Sequence, residues 1–250
     1  MLSEAFFSPR GTDTVSTSNL EIAMYIRKAA ERGHADHGWL NSHHSFSFAN
    51  YYDPAHMGFS NLRVINDDIV QPGMGFGTHG HQDMEIISYV IDGELAHKDS
   101  EGNVETIPAG DIQIMSAGTG IQHSEFNASD KNLVNFLQIW VLPKRAGIAP
   151  RYEQKTITQT DVLTPIVMPG GSDTAVDINA DAALSQLVLD TGESIDLGRP
   201  DQHGYLHVVK GQAETSYGEL APGDAIGLEP GEAMSVTASE PLTALWFDLP

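Results

Sequence analysis

The 250-residue chain has no cysteine. That excludes disulfides, thiolate nucleophiles, and any zinc or iron–sulfur site built on sulfur, so a bound metal must be held by nitrogen and oxygen. Positive charge is scarce: 13 Lys and Arg stand against 34 Asp and Glu, for a formal net charge of −21. Such a surface repels phosphate backbones, so nucleic acid is not an expected partner. No apolar run approaches the roughly 18 residues that span a bilayer, so no membrane association is expected. Residues 1–23 lack the cationic and apolar segments of a secretory signal and read as a flexible extension; a cytoplasmic location is the expectation.

Histidine and glycine carry what the chain does have. The stretch Gly77–Glu85 contains His79 and His81 one residue apart, and His123 and Glu125 repeat that spacing downstream. In a strand, residues i and i+2 face the same side, so each pair aims two donors at one point. Glu85 is a rival carboxylate. It lies an even number of residues from both His79 and His81, so parity leaves it available and only a bend or bulge would remove it. A second histidine-rich segment, His34–His44, has irregular spacing and reads as packing or as the lining of a nearby pocket. Three glycines, Gly73, Gly75 and Gly77, precede the first His pair. No helix pattern and no Lys-Ser/Thr follows them, so they predict close backbone approach or a barrel corner rather than a phosphate cradle.

Most of the chain reads as short strands punctuated by Gly and Pro, the pattern of a barrel or jelly roll. Leu62–Ile65 predicts a strand ended by a turn at Asn66–Asp68. His44–Phe48 alternates like a half-buried strand. Asp92-Gly93 predicts a hairpin. Pro143–Pro150 predicts a linker. An internal repeat then sets the architecture: Pro108–Asp111 is echoed by Ala221–Asp224, and Tyr89–Gly93 by His207–Gly211. At the offset of 113 between Asp111 and Asp224, His123 falls on Val236 and Glu125 on Ala238. The region matching His79 and His81 contains Leu197 and Arg199. The second half therefore predicts the same barrel with its polar site erased.

These residues resemble the cupin motifs. Gly73-x5-His79-x-His81-x3-Glu85-x7-Gly93 is similar to the first, and Gly102-x5-Pro108-x-Gly110 followed by His123-x3-Asn127 to the second. Within cupins the chain resembles the bacterial pirins, through Arg32–Leu40, Phe46–Pro54, Gly75–His81 and Ser116–Glu125. The resemblance implies an all-β bicupin, two jelly-roll barrels in tandem with few short helices. The implied division is an N-terminal metal-binding domain at 24–150 and a C-terminal domain lacking ligands at 151–250. It also implies one ion held by His79, His81, His123 and Glu125, with Glu125 preferred over Glu85. Three imidazoles and a carboxylate leave coordination positions open. Fe(II) is the expected ion, with Mn, Ni, Co, Cu and Zn as alternatives. The implied activity is cleavage of a flavonol such as quercetin by dioxygen, with Glu125 as proton acceptor and Phe46 and Phe48 packing on the flavonol rings. The alternative is a non-enzymatic redox sensor acting through a protein partner. Thr78 and Gly80 depart from the prolines and bulky residues common at those positions in the family.

Overall fold

The computed structural model describes residues 24–250, so the expected extension at 1–23 lies outside the described residues. Four sheets form two face-to-face pairs. The first pair has a seven-stranded sheet in the order Arg151–Thr156, Asp111–Ser116, Glu85–Asp92, Val134–Val141, Leu62–Val70, Leu40–His44 and Gly33–Asp36. Its four-stranded partner runs Gly75–His81, Ile121–Asn127, Glu94–Asp99 and Val104–Pro108. The second pair repeats the seven-plus-four plan, with Tyr25–Arg27 at one edge of its larger sheet. Pairing is antiparallel except between Leu163–Met168 and Val176–Asp177. Among the described residues the only helical element is the short 3-10 turn Ala29–Glu31.

The barrels exchange edge strands. Tyr25–Arg27 precedes the first barrel yet pairs with Ala225–Leu228 of the second. Arg151–Thr156 follows the linker yet pairs with Asp111–Ser116 of the first. The expected division after residue 150 therefore precedes a strand that hydrogen-bonds backwards. Each barrel covers an open edge of the other, which removes two free ladders. A shared apolar cluster reinforces the junction: Phe46, Phe59, Ile87 and Leu137 pack with Tyr205, Leu245 and Phe247.

Three local expectations shift. The turn expected at Asn66–Asp68 is the middle of a continuous strand, Leu62–Val70, in which Asn66 and Asp68 are buried. Turn-forming side chains are tolerated there because they line an open chamber rather than packed core. The strand expected at His44–Phe48 ends at His44; beyond it the chain bends, and Phe48 and Tyr51 close a tight turn. Phe46 consequently sits in the interdomain cluster beside Tyr25 and Tyr205, not at a barrel mouth. The hairpin expected at Asp92-Gly93 does not form: Gly93, at φ +80° and packed so closely that a Cβ would meet the Leu133 carbonyl, turns the chain from the larger sheet into the smaller one, so Glu85–Asp92 and Glu94–Asp99 pair with different strands.

Strand register lets the central strands of the two barrels be matched position by position. Both pairings of the central strands slip at one place, between Asn135 and Phe136 against Asp92 and Val90, and between Thr243 and Ala244 against Lys210 and Val208. Aligning the slips places Ser88 with Leu206 and Gln138 with Trp246. On the smaller sheets, His123 and Glu125 lie opposite Asp99 and His97, whereas Val236 and Ala238 lie opposite Thr215 and Ala213. His79 faces His123 as Ile195 faces Val236, and His81 faces Ile121 as Leu197 faces Met234. The erased counterparts of His79 and His81 are thus Ile195 and Leu197, two residues before the Leu197 and Arg199 that the repeat suggested.

Candidate metal centre

The edge strand Gly75–His81 carries His79 and His81 beside Ile121–Asn127, which carries His123 and Glu125. Their register shifts between His123 and Glu125, a bulge of the kind that re-aims side chains next to functional sites. Gly75 is required there, because a Cβ would collide with the Glu125 backbone carbonyl. The expectation of close backbone approach therefore holds at Gly75, while Gly73 turns the chain at φ +66°.

The three imidazoles converge. Ring centroids are separated by 4.8 Å for His79 and His81, 4.5 Å for His79 and His123, and 4.9 Å for His81 and His123. Two donor sets result, each with its ligand atoms within 4.8 Å of one another: His79, His81 and His123, and His97, His123 and Glu125. His123 belongs to both. Glu125 thus meets the imidazole cluster through His123, with His97 as an additional neighbour.

The donors are prepared for a cation. His123 is buried with neither ring nitrogen hydrogen-bonded, and the buried Nε2 of His81 is also unpartnered. Such orphans are expensive in an interior unless a ligand satisfies them. His79 Nδ1 donates to the Gly77 carbonyl at 2.8 Å, which leaves the Nε2 lone pair free. Burial first, and the neighbouring imidazoles second, hold the His123 ring down at about 2 and the His81 ring at about 4, so both are neutral at ordinary pH. Glu125 is fully buried. Its Oε1 accepts from Ser88 Oγ at 3.1 Å and its Oε2 from Gln138 Nε2 at 3.2 Å. Burial pushes its carboxyl up to about 7, with the Ser88 hydroxyl opposing. Neutral nitrogen donors with a buried carboxyl, and no sulfur, suit a divalent transition metal.

Glu85 stands elsewhere. Asp83, at φ +47°, bends the chain between His81 and the strand Glu85–Asp92, so Glu85 enters the other sheet. There its Oε2 accepts from Ser116 Oγ at 2.8 Å and from the Asn179 amide at 3.1 Å. It ties the barrels together. The bend that parity left open as an escape is the one that occurs.

Four neighbours of the centre escape motif reading. Ser88 and Gln138 hold Glu125, and Gln138 Oε1 in turn accepts from Trp140 Nε1 at 3.1 Å. His97 is buried beside His123 at a centroid distance of 5.4 Å, and its Nε2 lies 3.1 Å from Asp99 Oδ2. Asp99 also accepts from the Glu101 and Asn103 amides and from Asn103 Nδ2. For Ser88 and Gln138 the signal is a polar residue inside an apolar strand, as in Ile87-Ser88-Tyr89 and Leu137-Gln138-Ile139; His97 and Asp99 lie in the polar strand Glu94–Asp99 and carry no such signal.

Gln138 also lines a chamber of about 470 Å³. Trp39, Phe48, Tyr51 and Phe76 give it aromatic walls, and His34, His37 and His44 from the histidine-rich segment line it too. That segment therefore does what its pocket-lining reading predicts. His81 also borders an open groove with Gly80, Ser100 and Gln122.

Two barrels on one chain, with polar donors gathered inside only the first, define a bicupin. The chain belongs to the pirin family. A family model described as Pirin matches residues 25–141, and one described as Quercetinase C-terminal cupin domain matches residues 165–249. The quercetin 2,3-dioxygenase of Escherichia coli strain K12 is 45% identical over 228 residues, covering 91% of this chain and 99% of that protein. A pirin-like protein of Caulobacter vibrioides is 42% identical over 224 residues, covering 87% and 96%. The crystal structure of the bacterial pirin YhhW from Escherichia coli in complex with nickel(II) aligns with a TM-score of 0.87 at 44% identity, over 91% of this chain and 99% of that one. No described helix is long and apolar enough to cross a membrane.

Proposed function

We propose that the protein is a metal-dependent oxygenase of flavonols, with His79, His81, His123 and Glu125 holding one divalent ion, Fe(II) in the first instance. The observation that carries this reading is the juxtaposition of the imidazole and carboxylate donors with an aromatic-walled chamber, joined through Gln138. A relative sharing 45% of its residues is named quercetin 2,3-dioxygenase, which supports the choice of substrate class.

When bound, the ion supplies a Lewis acid that makes a coordinated hydroxyl acidic. Glu125 accepts the proton of the flavonol 3-hydroxyl. Burial raises the basicity of the Glu125 carboxylate, which favours its taking that proton. Ser88 and Gln138 hold the carboxylate in one orientation, so little geometry must be found during reaction. The aromatic walls hold the planar substrate by its faces and keep water from the anion. Phe48 is in place for this; Phe46, locked in the interdomain cluster, is not. Dioxygen adds to the electron-rich heterocycle of the flavonolate, which opens with release of carbon monoxide.

The test is quercetin consumption by protein reconstituted separately with Fe(II), Mn, Ni, Co and Cu, in air and under argon. Loss of quercetin with carbon monoxide release, in air only, is the expected result. No loss in air with any of these ions overturns the reading.

A further inference from the structure

The chamber contains a buried acid that the oxygenation chemistry leaves unused. Asp68 stands mid-strand in Leu62–Val70, is 2% exposed, and lines the chamber. Its Oδ1 has no hydrogen-bond partner. An interior carboxylate oxygen without a donor is destabilising, and a binding partner that supplies the donor removes the penalty.

The sister barrel shows what the fold places there when nothing need be recognised. Asp68 pairs with Phe136, and Leu187 pairs with Ala244, at equivalent points of the two sheets. Ser42 lies opposite Asp68, and Leu163 opposite Leu187. Leu187 and Leu163 fill apolar core in the second barrel. In the first, the same two positions are a carboxylate and a hydroxyl against an open space. Nearby, His44 Nδ1 lies 2.8 Å from Asn66 Oδ1, so those two side chains satisfy each other, and the Ser42 hydroxyl serves one side of the Asp68 carboxyl, leaving Oδ1 as the acceptor without a donor.

The other walls set the shape of the guest. Trp39 and Phe76 meet edge to face at 5.2 Å, and Phe48 meets Trp140 edge to face at 5.4 Å. Rings in these orientations with one buried acceptor at the wall fit a planar aromatic ring that carries a hydroxyl donor.

We propose that Asp68 is the specificity-determining residue of the chamber, accepting a hydrogen bond from a ring hydroxyl other than the 3-hydroxyl that Glu125 deprotonates. The choice of a flavonol as the guest rests on the proposed function; the free acceptor does not. Sites that hydrogen-bond a substrate hydroxyl discriminate strongly against analogues lacking it, because the buried partner is otherwise left bare.

The experiment is titration of nickel-loaded, full-length protein under argon with two probes, quercetin and 3-hydroxyflavone, followed by tryptophan fluorescence and calorimetry. 3-Hydroxyflavone keeps the 3-hydroxyl and lacks every other. The wild type is expected to bind quercetin at least tenfold more tightly. Asp68→Leu, which installs the sister barrel's residue, is expected to narrow that gap to threefold or less with 3-hydroxyflavone affinity kept. Asp68→Asn retains a neutral acceptor and is expected to give an intermediate gap, so the comparison survives if the leucine variant folds poorly. No gap in the wild type, or an undiminished gap in both variants, overturns the assignment of Asp68. If the wild type discriminates but consumes no quercetin in air with any metal, the oxygenase reading falls and the role of Asp68 stands. If quercetin is consumed while the gap persists in the variants, Asp68 alone is wrong.

Discussion

The two barrels share a sheet plan, a strand slip and an exchange of edge strands, yet their interiors are opposites. In the second barrel Leu206, Ala213, Val236, Ala238 and Trp246 belong to one continuous apolar cluster. In the first, the equivalent positions are Ser88, His97, His123, Glu125 and Gln138, and the apolar core splits into two smaller clusters around them. One barrel supplies stability and an edge strand; the other gives up apolar core to gather donors. The difference shows that the cupin frame does not need a metal to close, so the polar residues of the first barrel require a separate explanation.

That comparison can be broken by moving residues across it. Installing Val236→His and Ala238→Glu in the second barrel buries polar groups without the partners that Ser88 and Gln138 provide in the first. Each unsatisfied buried group costs about 1–3 kcal/mol, so the double variant should lose roughly 2–6 kcal/mol in denaturant unfolding. It should bind no additional metal by elemental analysis. A stable variant holding a second ion would show that ligands alone make the site.

The converse change, Gln138→Leu, makes the first barrel resemble the second at one supporting position. Glu125 then keeps Ser88 but loses its amide donor. Outer partners of this kind are worth about 10–100-fold in metal affinity, and calorimetric titration with nickel should show a loss of that order.

The pH dependence of nickel binding should follow the Glu125 carboxyl rather than the His81 and His123 imidazoles. His81 and His123 are held neutral down to about 4 and about 2 by burial, so they require no deprotonation at pH 5–8. Glu125, raised by burial to about 7, must lose its proton to ligate. Affinity should therefore fall about tenfold per pH unit below neutrality and flatten above it. Glu125→Gln should bind more weakly at pH 8 and show no break near 7. A break near 6.5 retained in that variant would assign the proton to a histidine instead.

The smallest effect is expected at Gly80, the residue between His79 and His81. An added Cβ there meets nothing closer than 3.7 Å, and no positive φ demands glycine. Gly80→Ala should stiffen the ligand strand and tighten nickel binding by up to about 0.5–1 kcal/mol, the usual difference in backbone entropy.

Much of this was legible in the chain. His79-x-His81 and His123-x-Glu125 could be read because strand periodicity turns a spacing into a shared face. The repeat could be read because a Gly-Asp turn, with proline just before it, punctuates both halves. What escaped reading depends on contacts across strands. Asp68 sits in an Asn-Asp-Asp run that looks like a turn, and only the chamber explains its place in a strand. Ser88 and Gln138 look like tolerated polar residues until register puts them against Glu125. The removal of Glu85 hangs on the backbone of one residue, Asp83, which no side-chain pattern announces. The exchange of edge strands is likewise invisible locally, since Tyr25–Arg27 and Arg151–Thr156 find their partners far along the chain.

The central claim is that a metal belongs to the first barrel alone and is held through His123, the one side chain shared by both donor sets. It is tested by elemental analysis of chelator-free protein, wild type against His123→Ala, with circular dichroism to confirm folding. The account predicts one transition-metal ion per chain in the wild type and none retained by the folded variant. Full occupancy in His123→Ala, or two ions per wild-type chain, would contradict it.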